Sequence, residues 1–180
     1  MKLLKELGGW VGTFAISLLL VVVIGAFVFQ PTKVLGHSMD PTLQDSERIY
    51  ISKISHTLDQ VPEYGDIVII DSRVDRNRTI ADDLMDSSPL NLFNASDRHV
   101  WVKRVIGKPG DTIEIRSNKV YRNGEELQEP YINEAMANNS ERTWIVPEDY
   151  IFVMGDNRNH SSDSRAIGPV PVSHVLGKKL

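Results

Sequence analysis

The stretch Gly36-His37-Ser38-Met39-Asp40-Pro41-Thr42-Leu43 frames one serine between a glycine and a proline turn. A serine hydroxyl attacks a carbonyl only when a base accepts its proton. His37 is adjacent, but neighbouring side chains of an extended segment point to opposite faces. His56, His99, His160 and His174 are scattered through polar contexts without metal-ligand spacing, and read as surface residues. Lysine is the other choice of base. It ordinarily titrates at about 10.4, so it serves only where burial disfavours the ammonium. In "HVWVKRVIG" (99–107) a period of two puts Trp101, Lys103 and Val105 on one face, and Val102, Arg104 and Ile106 on the other. Lys103 thus has the apolar neighbours a neutral amine needs, although the same pattern suits a lysine snorkelling at a strand edge. The run "GDNRNHSSDSRAIG" (155–168) crowds small polar and charged residues directly after an apolar segment. Such a run either solvates a loop or builds a dense hydrogen-bond network able to orient a lysine, with Asp163 and Arg165 paired to hold it.

The elements that must position these groups read mostly as β. "ERIYISKI" (47–54), "DIVIID" (66–71), "RHVWVKRVIG" (98–107), "DTIEIRS" (111–117) and "YIFVMGD" (150–156) are short and rich in β-branched residues. "KVYRNGEEL" (119–127) carries Asn123-Gly124 between two runs, the signature of a type I′ hairpin. Residues 72–97 read as an inserted polar loop with a short helix near 80–86, and 133–143 as a second mobile loop. The expected fold is a twisted, mostly antiparallel β domain preceded by one transmembrane helix.

That helix comes from the 26 residues without a charge between Glu6 and Lys33, densely apolar from Trp10 to Phe29. About 20 helical residues match a bilayer's hydrocarbon core. A cleavable signal peptide has a shorter apolar region ending in small residues, whereas this run closes with "AFVFQP". Lys2, Lys5 and the free amino terminus outweigh Lys33, so the positive-inside bias puts the N-terminus in the cytoplasm. The expected division is 1–9 cytoplasmic, 10–29 anchor, and 30–180 an extracytoplasmic catalytic β domain with 118–145 as its hairpin and loop region. The expected location is a cell membrane, crossed once. A net charge of −4 without basic blocks speaks against nucleic acid, and the absence of cysteine excludes thiol chemistry.

Four segments in order behind an anchor resemble those of type I signal peptidases, the membrane-anchored serine/lysine endopeptidases that remove signal peptides. They are "SMDPTL" (38–43), "GDIVII" (65–70), "KRVIGKPGD" (103–111) and "GDNRNHSSDSRAIG" (155–168). The resemblance is Gram-positive-like and covers about 1–177. It implies Ser38 as nucleophile, Lys103 as general base and Met39 lining the cleft. It further implies that Ser161 hydrogen-bonds the lysine, that Asp163 and Arg165 form a supporting pair, and that Gly155, Asp156 and Arg104 are structural positions nearby. Some members carry a serine where this chain has Gly36, so the oxyanion would depend on the Ser38 N–H and another donor or water. The resemblance implies no metal or organic cofactor. The implied partners are signal-peptide-bearing preproteins with small residues at −3 and −1, the lipid bilayer and the secretion translocon. Longer relatives continue past "VLGKKL" into another strand, which leaves the cover of the last sheet edge to be seen. The rival classes are a repressor-type serine/lysine peptidase, disfavoured by the anchor, a non-catalytic anchored preprotein-binding homologue, and a soluble secreted protein lacking its first 29 residues.

Overall fold

The computed structural model describes residues 2–54, 60–79, 82, 99–137 and 141–180, with helix side chains described over 8–21. Helix α1 (Lys2–Phe27) leads directly into strand β1 (Phe29–Lys33). The following strands are β2 (Arg48–Ser52), β3 (Ile67–Asp71), β4 (Val100–Gly107), β5 (Thr112–Arg116), β6 (Lys119–Arg122), β7 (Glu125–Glu126), β8 (Arg142–Ile145), β9 (Tyr150–Met154), β10 (Val170–Pro171) and β11 (Val175–Lys179). A one-turn helix, α2 (Ser164–Ile167), follows β9. Seven strands make one sheet in the order β1-β2-β11-β3-β4-β9-β10, and four make a second in the order β7-β6-β5-β8. All pairings are antiparallel, as the strand patterns led us to expect.

Strand β4 joins the two cores. Its register against β9 slips between Val105 and Gly107, so two steps on β4 face one on β9. A bulge of this kind breaks the alternation of faces. Val105 packs with Val68, Ile70, Ile151 and Val153, and the next residue, Ile106, packs with Ile113, Ile115 and Phe152. Adjacent residues thus serve different cores, as on the facing strand, where Val153 opposite Val105 belongs to the first cluster and Met154 opposite Arg104 to the second. The third cluster, Val34, Met39, Leu43 and Ile49, packs with Ile67 and Val102 and lies under the serine turn. Both faces of β4 are therefore covered. At the hairpin, Asn123 (φ 55°) and Gly124 (φ 84°) both have positive φ, the pair a type I′ turn requires.

Several boundaries differ from the sequence expectation. The helix begins at Lys2 and stops before Phe29, and residues 29–33, expected as the end of an anchor and a spacer, form an edge strand on β2. Pro31 sits there without penalty, because one side of an edge strand needs no N–H donors. Among the described residues no helix is long and apolar enough to cross a membrane; the described side chains, 8–21, fall short of the roughly 20 residues a span needs. The second loop ends earlier than expected, since Arg142–Ile145 form β8 on β5. The short helix expected near 80–86 lies outside the described residues apart from Asp82.

The C-terminal segment is interior rather than terminal in the sheet. Strand β11 pairs with β2 through Lys178–Ser52 and with β3 through Val175–Ile70, and the sheet's edges are β1 and β10. Apolar alternation misses this strand because Gly177 interrupts it. A Cβ on Gly177 would fall on Ile51 Cγ2 and lie 2.7 Å from the Ser52 carbonyl oxygen, so only glycine lets β11 pass this close. Deleting residues 175–180 should therefore expose two strand edges at the centre of the sheet and abolish cooperative folding, whereas deleting Leu180 alone should leave the melting temperature nearly unchanged. Thermal melts of the two truncations check this.

Candidate active site

The serine turn is set by its flanks. Val34 N–H donates to the Glu47 carbonyl and Ser46 N–H to the Val34 carbonyl, closing the loop over the third core cluster. Gly36 has φ +89°, a conformation that L side chains rarely adopt, and its N–H donates to Asp45 Oδ1 at 2.7 Å. Met39 is 1% exposed and packs inward with Val34, Leu43 and Ile49. It supports the turn from below rather than lining an open cleft, because a residue next to a half-buried serine at a tight turn is directed to the opposite side.

Lys103 comes to the same place from β4, opposite Val68 on β3. Its side chain is 3% exposed. Nζ lies 2.9 Å from Ser38 Oγ, 2.9 Å from the Val102 carbonyl oxygen and 5.6 Å from the Trp101 ring centroid. Burial pushes its pKa down from 10.5 to about 8, against the charges of Asp163 and Asp156, which favour the ammonium, and with help from Arg165. A neutral amine in this setting has two N–H groups and one lone pair. Val102 takes a donor, and the lone pair is then available to the Ser38 hydroxyl proton. Two groups 65 positions apart in the chain thus meet across the sheet.

The polar run 155–168 closes over this pair as a rigid scaffold. Asp156 accepts from Arg104 Nε at 2.8 Å and Nη2 at 2.6 Å, and from Thr42 Oγ1 at 2.5 Å, tying the nucleophile turn to β4. Asp163 is fully buried and accepts from the Gly155 N–H at 3.0 Å and from Arg165 Nε and Nη2, both at 2.8 Å. Its carboxylate also caps α2 by accepting from the Arg165 N–H. Gly155 is compelled by contact: a Cβ there would fall on Ser161 Oγ and the Ser38 carbonyl oxygen. The hydrogen bond expected from Ser161 to Lys103 is not made. The Ser161 hydroxyl lies 3.4 Å from the Ser162 carbonyl oxygen, and Lys103 is served by the Val102 carbonyl of its own strand.

The structure adds residues that the sequence reading passed over. Arg158 is 2% exposed and makes a bidentate pair with Glu129, 2.7 Å on each arm, while its Nε holds the Gly155 carbonyl at 3.0 Å. The Tyr131 ring has the guanidinium groups of Arg104 and Arg158 at 4.1 and 5.9 Å from its centroid. Burial and the Glu129 charge raise its pKa well above the usual phenol range. Asn157 holds two main-chain carbonyls of the nucleophile turn. The signal for Asn157 and Arg158 in the sequence was only the density of polar residues after β9, and Glu129 and Tyr131 carried none. His99 and His160 are exposed as expected, but His174 is buried, its Nδ1 3.2 Å from the Asp71 carbonyl oxygen. His56 lies outside the described residues.

A serine hydroxyl held against a desolvated amine is equipped for acyl transfer, and the protein is a serine endopeptidase. The chain belongs to the signal peptidase family, peptidase S26, whose model matches residues 7–180. It is 36% identical over 184 residues to Signal peptidase I of Bacillus licheniformis, covering 93% of this chain and 83% of that one. It is 29% identical over 191 residues to Signal peptidase IB of Staphylococcus aureus (strain N315), covering 97% of this chain and 87% of that one. A crystal structure of a signal peptidase I from Enterococcus faecalis V583 is 28% identical and covers 66% of this chain and 97% of its own, with a TM-score of 0.47. As a member of this family, the chain is a serine peptidase that cleaves signal peptides.

Two outcomes are expected from the site's packing. Gly155→Ala should lower activity at least about 100-fold, since about 10²-fold is what a 1 Å misplacement near the chemistry costs; a steady-state assay beside a melting curve checks it. Lys103→Met should be inactive yet more stable at pH 7. The amine's pKa is depressed in the folded chain, so the unfolded chain binds more protons between about 8 and 10.5 and stability rises with pH across that window. Below it the buried ammonium costs roughly 3 kcal/mol. The stability gain of the variant should shrink toward pH 10, as read by melts at both pH values.

Proposed function

We propose that Ser38 is the nucleophile and Lys103 the general base of a signal peptidase I reaction that cleaves preproteins after small residues at −3 and −1. The observation that carries this reading is the 2.9 Å contact between Ser38 Oγ and Nζ of Lys103, a residue only 3% exposed. Neutral Lys103 takes the Ser38 proton as Oγ attacks the carbonyl after the −1 residue. The resulting ammonium protonates the leaving amine, and Lys103 then activates the water that hydrolyses the ester. Asp163, Arg165, Asp156, Arg104, Gly155 and Met39 hold the two groups in register, and Gly36 permits the turn.

The anchored topology belongs to the same proposal: α1 crosses the bilayer from residue 10 to its end at Phe27, the N-terminus is cytoplasmic and the β domain that begins at Phe29 works outside, near the translocon's exit. Support comes from α1 itself, where Trp10, Phe14, Leu19 and Val21 are each more than 60% exposed. A helix that is apolar all round belongs in apolar surroundings.

Purified protein in liposomes, given a preprotein with alanine at −3 and −1, tests the whole reading. Cleavage at the alanine boundary is expected for wild type and none for Ser38→Ala or Lys103→Ala. The rate should rise with pH through about 8 as the ammonium loses its proton, then level off. A rate flat from pH 5 to 9 with Ser38 still essential would count against the lysine base. Binding without cleavage by wild type would make the chain a non-catalytic preprotein-binding homologue.

A further inference from the structure

Attack by Ser38 forms the Oγ–carbon bond, sends the hydroxyl proton to Lys103 and moves the carbonyl π pair onto oxygen. That oxyanion needs a donor at about 2.7–3.1 Å. Gly36 has no side chain to offer, and its N–H is already committed to Asp45 Oδ1. The nucleophile's own N–H, on Ser38, is free for the task, since it donates to nothing among the described residues.

The direction of that N–H is not free. It shares one planar peptide unit with the His37 carbonyl, and this bond is trans, since among the described residues the cis bond is Asp40–Pro41. In a trans unit C=O and N–H point opposite ways, so a group that grips the carbonyl also aims the donor. Asn157 supplies the grip: its Nδ2 donates to the His37 carbonyl at 3.0 Å and its own N–H to the Ser38 carbonyl at 3.0 Å. Asp40 N–H adds a longer contact to the His37 carbonyl at 3.3 Å. Asn157 is itself firmly mounted, between Asp156 paired to Arg104 and Arg158 paired to Glu129.

We propose that Asn157 is a positioning residue for the oxyanion donor, holding the His37 carbonyl by its side chain and the Ser38 carbonyl by its main chain so that the Ser38 N–H faces the tetrahedral intermediate. The inference rests on Ser38 being the nucleophile. Its energetic effect falls on the transition state and not on the bound peptide, so it should appear in kcat.

The test uses full-length Asn157→Ala with the alanine preprotein and with a peptide aldehyde carrying the same −3 to −1 residues. The aldehyde adds the Ser38 hydroxyl to give a hemiacetal whose oxygen occupies the oxyanion position. The expected result is a kcat about 10–100-fold lower with KM within twofold, aldehyde inhibition weakened by the same factor, and the rise of rate near pH 8 unmoved. Unchanged kcat and inhibition, a loss confined to KM, or a displaced pH limb would overturn it. Should Asn157→Ala melt below the assay temperature, Asn157→Asp keeps the volume and lacks the Nδ2 donor. Its rate on the alkaline plateau must then fall comparably, and an unchanged plateau rejects the inference. Wild type insensitive to the aldehyde, together with an active Ser38→Ala, would sink the nucleophile assignment instead, so the two failures are distinguishable.

Discussion

An amine stays neutral near pH 8 only while water is kept from it, and the architecture around Lys103 follows from that requirement. The residue lies on β4, a strand with neighbours on both edges and packed side chains on both faces. Val68 stands opposite it and Trp101 two residues before it on the same face. An edge strand would have let the ammonium reach solvent and stay charged. The residues after Lys103 serve the same end, because Val105 enters the first core and Ile106 the second, so that one strand seals both.

The charges nearby are arranged so as not to undo the desolvation. A bare carboxylate beside Lys103 would favour the ammonium, and Asp163 and Asp156 both pull in that direction. Each is instead engaged in a two-armed pair with an arginine, Arg165 and Arg104 respectively. The carboxylates can then organise the loop through the Gly155 N–H and the Thr42 hydroxyl while most of their charge is met elsewhere. The Glu129–Arg158 pair extends the scheme and fixes the Gly155 carbonyl. Burying three ion pairs is costly in desolvation, and such pairs are weak evidence of stability. Their value here is geometric.

The connection from helix to site is equally constrained. Because β1 is hydrogen-bonded to β2, Ser38 is not on a free leash below α1. Its height relative to the helix is set by the sheet, and Phe29 stacks on Tyr50 at 5.2 Å where the two meet. For the anchored topology proposed above, this makes the distance from bilayer to nucleophile a property of the fold.

Much of this was legible in the residues themselves. The antiparallel strands, the Asn123-Gly124 turn and the apolar neighbours of Lys103 follow from local periodicity and turn chemistry, which depend on near neighbours. The helix was legible for the same reason, although not its ends. What local pattern could not supply was long-range pairing: that a segment broken by Gly177 lies at the centre of the sheet, that residues 29–33 make an edge strand, or that Val105 and Ile106 enter two different cores. Within the site, the sequence marked Ser38, Lys103 and the polar run through their types and order. Only the tertiary structure decided that Met39 faces inward, that Val102 rather than Ser161 accepts from Lys103, and that Asn157 grips the nucleophile turn. Those contacts join residues up to 120 positions apart, and no period within a single strand encodes which distant carbonyl a side chain will meet.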